Sequence, residues 1–294
     1  MTNRIRRIEI RDHVLNPVEA EVWVQVFLDR TTESTKIRGR LAGPTCDYAS
    51  TVVVSYPLRP HVTNAPEPSR LSKRVVIPEP SWWEPVSPFL YQGSVELWED
   101  EQLCEQVEIR HGFRVLRRQA AGFSFNGRPL TVRGVRHRGQ TRAELLQLRE
   151  AGINTIVAAK GDEEAILWDM TDRLGFLVIG KASANGQGFE RERSLSQHIS
   201  CFGWLLDPET QAGPRGNDGD ARLKTYGLCG IALQRPGQLP HKGIDFVLCD
   251  ESLAKSLLPS GLPVITSVRT RWNEALAAPA AALETRLAGW IYEP

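Results

Sequence analysis

Aliphatic residues Val22, Val24, Val26 and Leu28 alternate with Trp23, Gln25 and Phe27. A period of two lays one face of a strand on a core. Thr51–Tyr56, Arg74–Ile77, Gly93–Trp98 and Gln106–Ile109 repeat the theme between turns that carry proline and glycine. The opening stretch Arg4–Arg11 sets arginines among Ile5, Ile8 and Ile10 and reads as a strand lead-in. Over about the first 115 residues, short strands without helical periodicity predict an all-β sandwich.

From Leu130 the rhythm changes. Thr131–Val135 predicts a strand and Thr141–Ala151 a helix with Leu145 and Leu148 on one side. Ile153–Ala159 is a continuous apolar run of the kind covered on both faces in a parallel sheet. Glu163–Leu174 predicts a helix closed by Gly175, and Phe176–Ile179 another strand. Cys201–Leu206, Leu228–Leu233, Ile244–Cys249, Pro263–Val268 and Gly289–Tyr292 bring the strands to eight, with helical or irregular segments between. That βα alternation predicts a (β/α)8 barrel of about 165 residues, below the usual ~250, so some connections are short. The expected division is a sandwich over 1–118 and a reduced barrel over 119–294.

Charge removes several function classes. Lysine and arginine number 36 against 35 acids, a net charge of +1, so no basic field recruits nucleic acid. No apolar run approaches the ~20 residues of a membrane-spanning helix, and the N-terminus lacks a secretory pattern. Cys46, Cys104, Cys201, Cys229 and Cys249 are scattered and odd in number, the usage of reduced thiols in a cytoplasmic protein. His111, His198 and His241 show no metal-ligand spacing, and phosphate-binding loops and hydrolase nucleophile motifs are absent. No metal or cofactor is expected.

An ordered series of motifs narrows the reading. It runs Trp82-Trp83-Glu84-Pro85, Pro88-Phe89-Leu90-Tyr91, Gly112-Phe113-Arg114, Asn126-Gly127-Arg128-Pro129 and Arg133-Gly134-Val135-Arg136-His137. The series resembles the joint of family 2 glycoside hydrolases, the β-galactosidase and β-glucuronidase group. There an immunoglobulin-like sandwich hands over to a (β/α)8 barrel.

The resemblance implies two carboxyl groups about 5–5.5 Å apart, one acid/base and one nucleophile. His198, Ser200 and Trp204 keep the spacing of the family's strand-four segment, which puts Glu209 at the acid/base position, with Pro208 where an asparagine is usual. Pro263-Val264-Ile265-Thr266-Ser267-Val268-Arg269 matches the nucleophile segment and places Val268 where the glutamate belongs. A valine cannot attack an anomeric carbon. Arg136 stands for an asparagine, Val157 for an arginine, and Gly180-Lys181 for an acidic pair at the end of strand three.

Arg136, His137, Lys181, Trp204, Arg269 and Glu293 are the candidate ligand-binding residues. Each has a plain structural alternative: a satisfied histidine, a core tryptophan, or ion pairs among Arg136, Lys181, Arg269 and Asp207, Asp250 or Glu293 that hold the mouth together. Three readings follow. The chain binds a saccharide, with an anionic one suited to the added cations, or a protein, without retaining hydrolysis. Alternatively it hydrolyses glycosides with Glu209 and a displaced carboxylate such as Glu293 or Asp250. In the third, both domains are structural and serve a protein partner or a homo-oligomer.

Overall fold

A computed structural model describes residues 3–61, 69–159, 164–182, 189–206, 227–234, 243–269 and 287–293. The chain divides into two compact units, Met1–Phe113 and Arg114–Pro294.

The first unit contains eight strands: β1 (Ile5–Leu15), β2 (Glu19–Leu28), β3 (Lys36–Thr45), β4 (Val54–Pro57), β5 (Arg59–Pro60), β6 (Arg70–Pro78), β7 (Leu90–Glu99) and β8 (Gln102–His111). They form two four-stranded antiparallel sheets, β1-β2-β6-β5 and β4-β3-β7-β8. One buried cluster draws from both, with Val22, Val24, Val26 and Val75 from one sheet and Ile37, Leu41, Val95 and Leu97 from the other. In β1, Ile5 is out of phase with Ile8 and Ile10. A register shift between Ile5 and Arg7 restores it, so all three pack on that cluster. The motif series tightens the end of this unit. Trp83 is fully buried and its N–H donates to the Phe113 carbonyl at 2.8 Å, while the Tyr91 hydroxyl accepts from the Ser81 N–H at 2.9 Å.

The second unit opens with a small sheet, β9 (Leu116–Arg118), β10 (Phe123–Phe125) and β11 (Arg128–Leu130). Asn126 and Gly127 turn β10 into β11 with positive φ of 49° and 80°, which their residue types tolerate. Eight parallel strands then close a barrel: β12 (Val132–Arg136), β13 (Thr155–Val157), β14 (Leu177–Lys181), β15 (Cys201–Leu206), β16 (Leu228–Leu233), β17 (Phe246–Asp250), β18 (Val264–Val268) and β19 (Gly289–Tyr292). The described helices are α1 (Arg142–Glu150), α2 (Glu164–Leu174), α3 (Phe189–Leu195) and α4 (Glu251–Leu257), which follow β12, β13, β14 and β17.

Alternation along each strand sorts its side chains between the barrel interior and the helix layer. Val135, Ile156, Val178, Trp204, Ile231, Val247 and Val264 share one cluster with Leu145, Leu148, Leu167, Trp168, Ala254 and Leu257 of the helices. The interior is filled by large side chains set against missing ones. A Cβ on Gly134 would lie 2.3 Å from Ile291 Cδ1, and one on Gly230 would lie 2.2 Å from the Phe246 ring. Phe202 and Phe246 meet edge to face at 5.5 Å, and Phe123 of β10 packs on both at 4.9 and 6.0 Å. The small sheet thereby contributes a ring to the barrel floor, which leaves the C-terminal ends of the strands as the end where a barrel carries its chemistry.

Candidate functional site

Three adjacent strands meet at the barrel mouth. Arg136 ends β12, Glu293 follows β19, and Ser267 lies near the end of β18, with β19 pairing both neighbours. The Glu293 N–H extends the ladder by donating to the Val268 carbonyl at 2.9 Å. On the side chain, Arg136 Nη2 donates to Glu293 Oε1 at 2.5 Å and the Ser267 hydroxyl donates to the same oxygen at 3.0 Å. Burial would push the Glu293 carboxyl up, but these two donors, together with the charges of Arg136 and Arg269, overcome it and hold the group below its ordinary value near 4.5. It is ionised at neutral pH.

Lys181 ends β14, four strands round from β18 and so across the barrel. It is exposed, as is Arg269 just past β18. Asp250, also exposed, ends β17 and precedes α4 without capping it through its side chain. His137 donates its backbone N–H to the Val157 carbonyl at 2.9 Å, and its Nδ1 is enclosed without a partner among the described residues. Arg136 and Arg269 both act on Glu293, Asp250 stands at the next strand end, and Lys181 alone has no opposite charge among the described residues.

Other candidates sit elsewhere. Val268 packs against the cluster shared with the helices, and Ser267 is the residue of this segment that turns inward to Glu293. Gly180 faces the helix layer too, since a Cβ there would lie 2.5 Å from the Trp204 ring. Trp204 is fully buried, stacks on Trp168 at 5.7 Å, and donates its indole N–H to the Ser196 hydroxyl at 2.9 Å. A ligand-stacking role for Trp204 does not agree with that placement; the indole is wall packing. Glu209, with Asp207 and Pro208, lies outside the described residues.

The strand-four motif has a structural account of its own. His198 Nδ1 lies 2.7 Å from Asp172 Oδ2, and the Ser200 N–H donates to Asp172 Oδ1 at 2.9 Å. Ser200 and Thr171 hydroxyls meet at 3.2 Å. His198, Ser200 and Trp204 therefore moor β15 and the segment before it to α2 and to Ser196, just past α3. Asp169, Asp172 and His198 bring ligand atoms within 4.8 Å of one another, an arrangement that could hold a metal ion. No histidine spacing announced it, because the two acids stand one helical turn apart on α2 and the histidine is 26 residues from Asp172. Ser267 stands at no catalytic position of a sequence motif. Its signal was the alternation of β18, which puts it on the same side as Ile265.

The family description "Glycosyl hydrolases family 2" matches residues 3–114. A β-galactosidase of Psychromonas ingrahamii is 24% identical over 153 residues, covering 48% of this chain and 14% of that protein. A glycosyl hydrolase family 2 member from Bacteroides cellulosilyticus superposes with a TM-score of 0.69 at 17% identity, covering 97% of this chain and 43% of that one. Bifidobacterium dentium β-glucuronidase, solved with coumarin-3-O-glucuronide, has a TM-score of 0.69 at 13% identity, covering 99% of this chain and 60% of that one. The chain thus spans a minor part of the β-galactosidase and about half of these solved chains, and at such identities the superposition speaks for fold alone. Residues 3–114 are a glycosyl hydrolase family 2 domain, and the chain as a whole has a fold found in family 2 glycosidases.

Proposed function

We propose that this chain, an immunoglobulin-like sandwich followed in sequence by a reduced (β/α)8 barrel, binds a saccharide at the barrel mouth and does not carry out retaining glycoside hydrolysis. The carrying observation is the end of β18. Ser267 faces inward there, whereas Val268 packs into the helix-side cluster, and neither is a carboxylate. A double displacement needs a carboxylate nucleophile close to the acid/base. Free thiols at all five cysteines, three of them buried, suit the reducing cytoplasm.

A panel of aryl β-glycosides tests the loss of activity. No turnover above background is expected, and Glu209→Gln should change nothing. One observation favours the alternative: Glu293 is an ionised carboxylate at the mouth. If Glu209 and Glu293 work as acid and base, turnover appears and either Glu→Gln change lowers it on the order of 10²–10⁴-fold. That result overturns the binding reading.

A further inference from the structure

Glu293 is held in an unusual way. Both of its side-chain donors, Arg136 Nη2 and the Ser267 hydroxyl, land on Oε1. Among the described residues Oε2 accepts nothing, although the side chain is only 26% exposed. A carboxylate oxygen can take two hydrogen bonds, and a guanidinium carries five N–H groups, of which Arg136 spends one here. Among the described residues an oriented acceptor and unspent donors stand side by side on the inward face of the mouth. Two strands fix the carboxylate, one through Arg136 and one through Ser267, so little ordering remains to be done when a ligand arrives.

We infer that Glu293 and Arg136 form a diol-reading pair: Glu293 Oε2 accepts a hydrogen bond from one ligand hydroxyl while Arg136 donates one to its neighbour. The ligand class is a neutral saccharide with a free vicinal diol. This rests on the saccharide-binding reading and goes further by naming the atoms. Charge supports a neutral ligand, since Glu293 already answers Arg136 and Arg269. The bland alternative is a strap that merely closes the seam between β12, β19 and β18.

The experiment titrates the full chain with methyl β-D-glucopyranoside and methyl β-D-galactopyranoside, and with analogues lacking one hydroxyl of each diol. NMR shifts read the affinity and thermal melting reads the fold. Expected are binding of at least one glycoside, loss with its deoxy analogue, and weakening by roughly 10- to 100-fold in Glu293→Gln. Wild-type affinity should also fall as acid protonates Glu293, and this dependence, which needs no variant, should vanish in any Glu293→Gln protein that still binds. If Glu293→Gln melts earlier but binds as wild type does, the pair is only a strap. If Lys181→Met or Asp250→Asn abolishes binding while Glu293→Gln does not, the saccharide reading survives and this inference falls. Failure of the wild type to bind either glycoside removes both.

Discussion

Gly180 has no room for a side chain. A Cβ would lie 2.5 Å from Trp204 Cζ3 and 2.7 Å from Cε3, and that ring is pinned by Trp168 and by its bond to Ser196. Gly180→Ala should therefore destabilise the chain by about 1–3 kcal/mol through overpacking, measured by urea unfolding. An unchanged midpoint would mean the indole can yield. Asp172 poses the opposite problem of removal. Asp172→Ala would leave the buried Ser200 N–H and the His198 ring without their acceptor, costing about 1–3 kcal/mol. Saccharide binding should survive it, because the aspartate serves the wall and not the mouth.

At the scale of elements, α1 shows how a short helix is held at its start. Thr141 accepts from the Glu144 N–H and Glu144 accepts from the Thr141 N–H, a reciprocal capping box. Thr141→Ala should cost about 1 kcal/mol, seen as a lowered urea midpoint. The seam of β12, β19 and β18 gives a pH dependence. Glu293 titrates below its ordinary value near 4.5, so the ionised form is the one favoured by folding. Its contribution is complete above that ordinary value and fades as pH falls through the lower folded one. Melting temperature recorded from neutral to acid pH should drop less steeply in Glu293→Gln than in the wild type. Parallel curves would show that the clasp adds nothing to the barrel's stability.

Across the whole molecule the cysteines report on burial. None is bonded to another, and Cys201, Cys229 and Cys249 are buried while Cys46 and Cys104 are half-buried. Burial pushes the thiols of Cys201 and Cys249 up to about 11. A thiol reagent should titrate five groups after denaturation. In the native chain only Cys46 and Cys104 should react, and reductant should leave the melting temperature unchanged. Rapid native labelling of the buried three would contradict the packed barrel.

Period and punctuation alone determined much of this protein. Alternation at Val22–Leu28 and the apolar runs at Cys201–Leu206, Leu228–Leu233 and Gly289–Tyr292 correspond to strands at or near their observed limits, since burial on a pleated surface writes itself directly into local order. β3 was invisible, as Lys36, Arg38, Gly39 and Arg40 break its pattern and only Ile37 and Leu41 reach the core. The motif series pointed to the right family domain, yet Trp83, Tyr91, His198 and Trp204 proved to be packing and mooring residues. Which side of a barrel wall a residue faces depends on its strand's register, and a shift of one exchanges mouth for helix layer. Tertiary structure therefore decided that Val268 and Gly180 face outward, that Ser267 faces in, and that Arg136 and Glu293, 157 residues apart, share one hydrogen bond. Barrel closure brings the first strand against the last, and no local pattern can record a contact made only when the ring shuts.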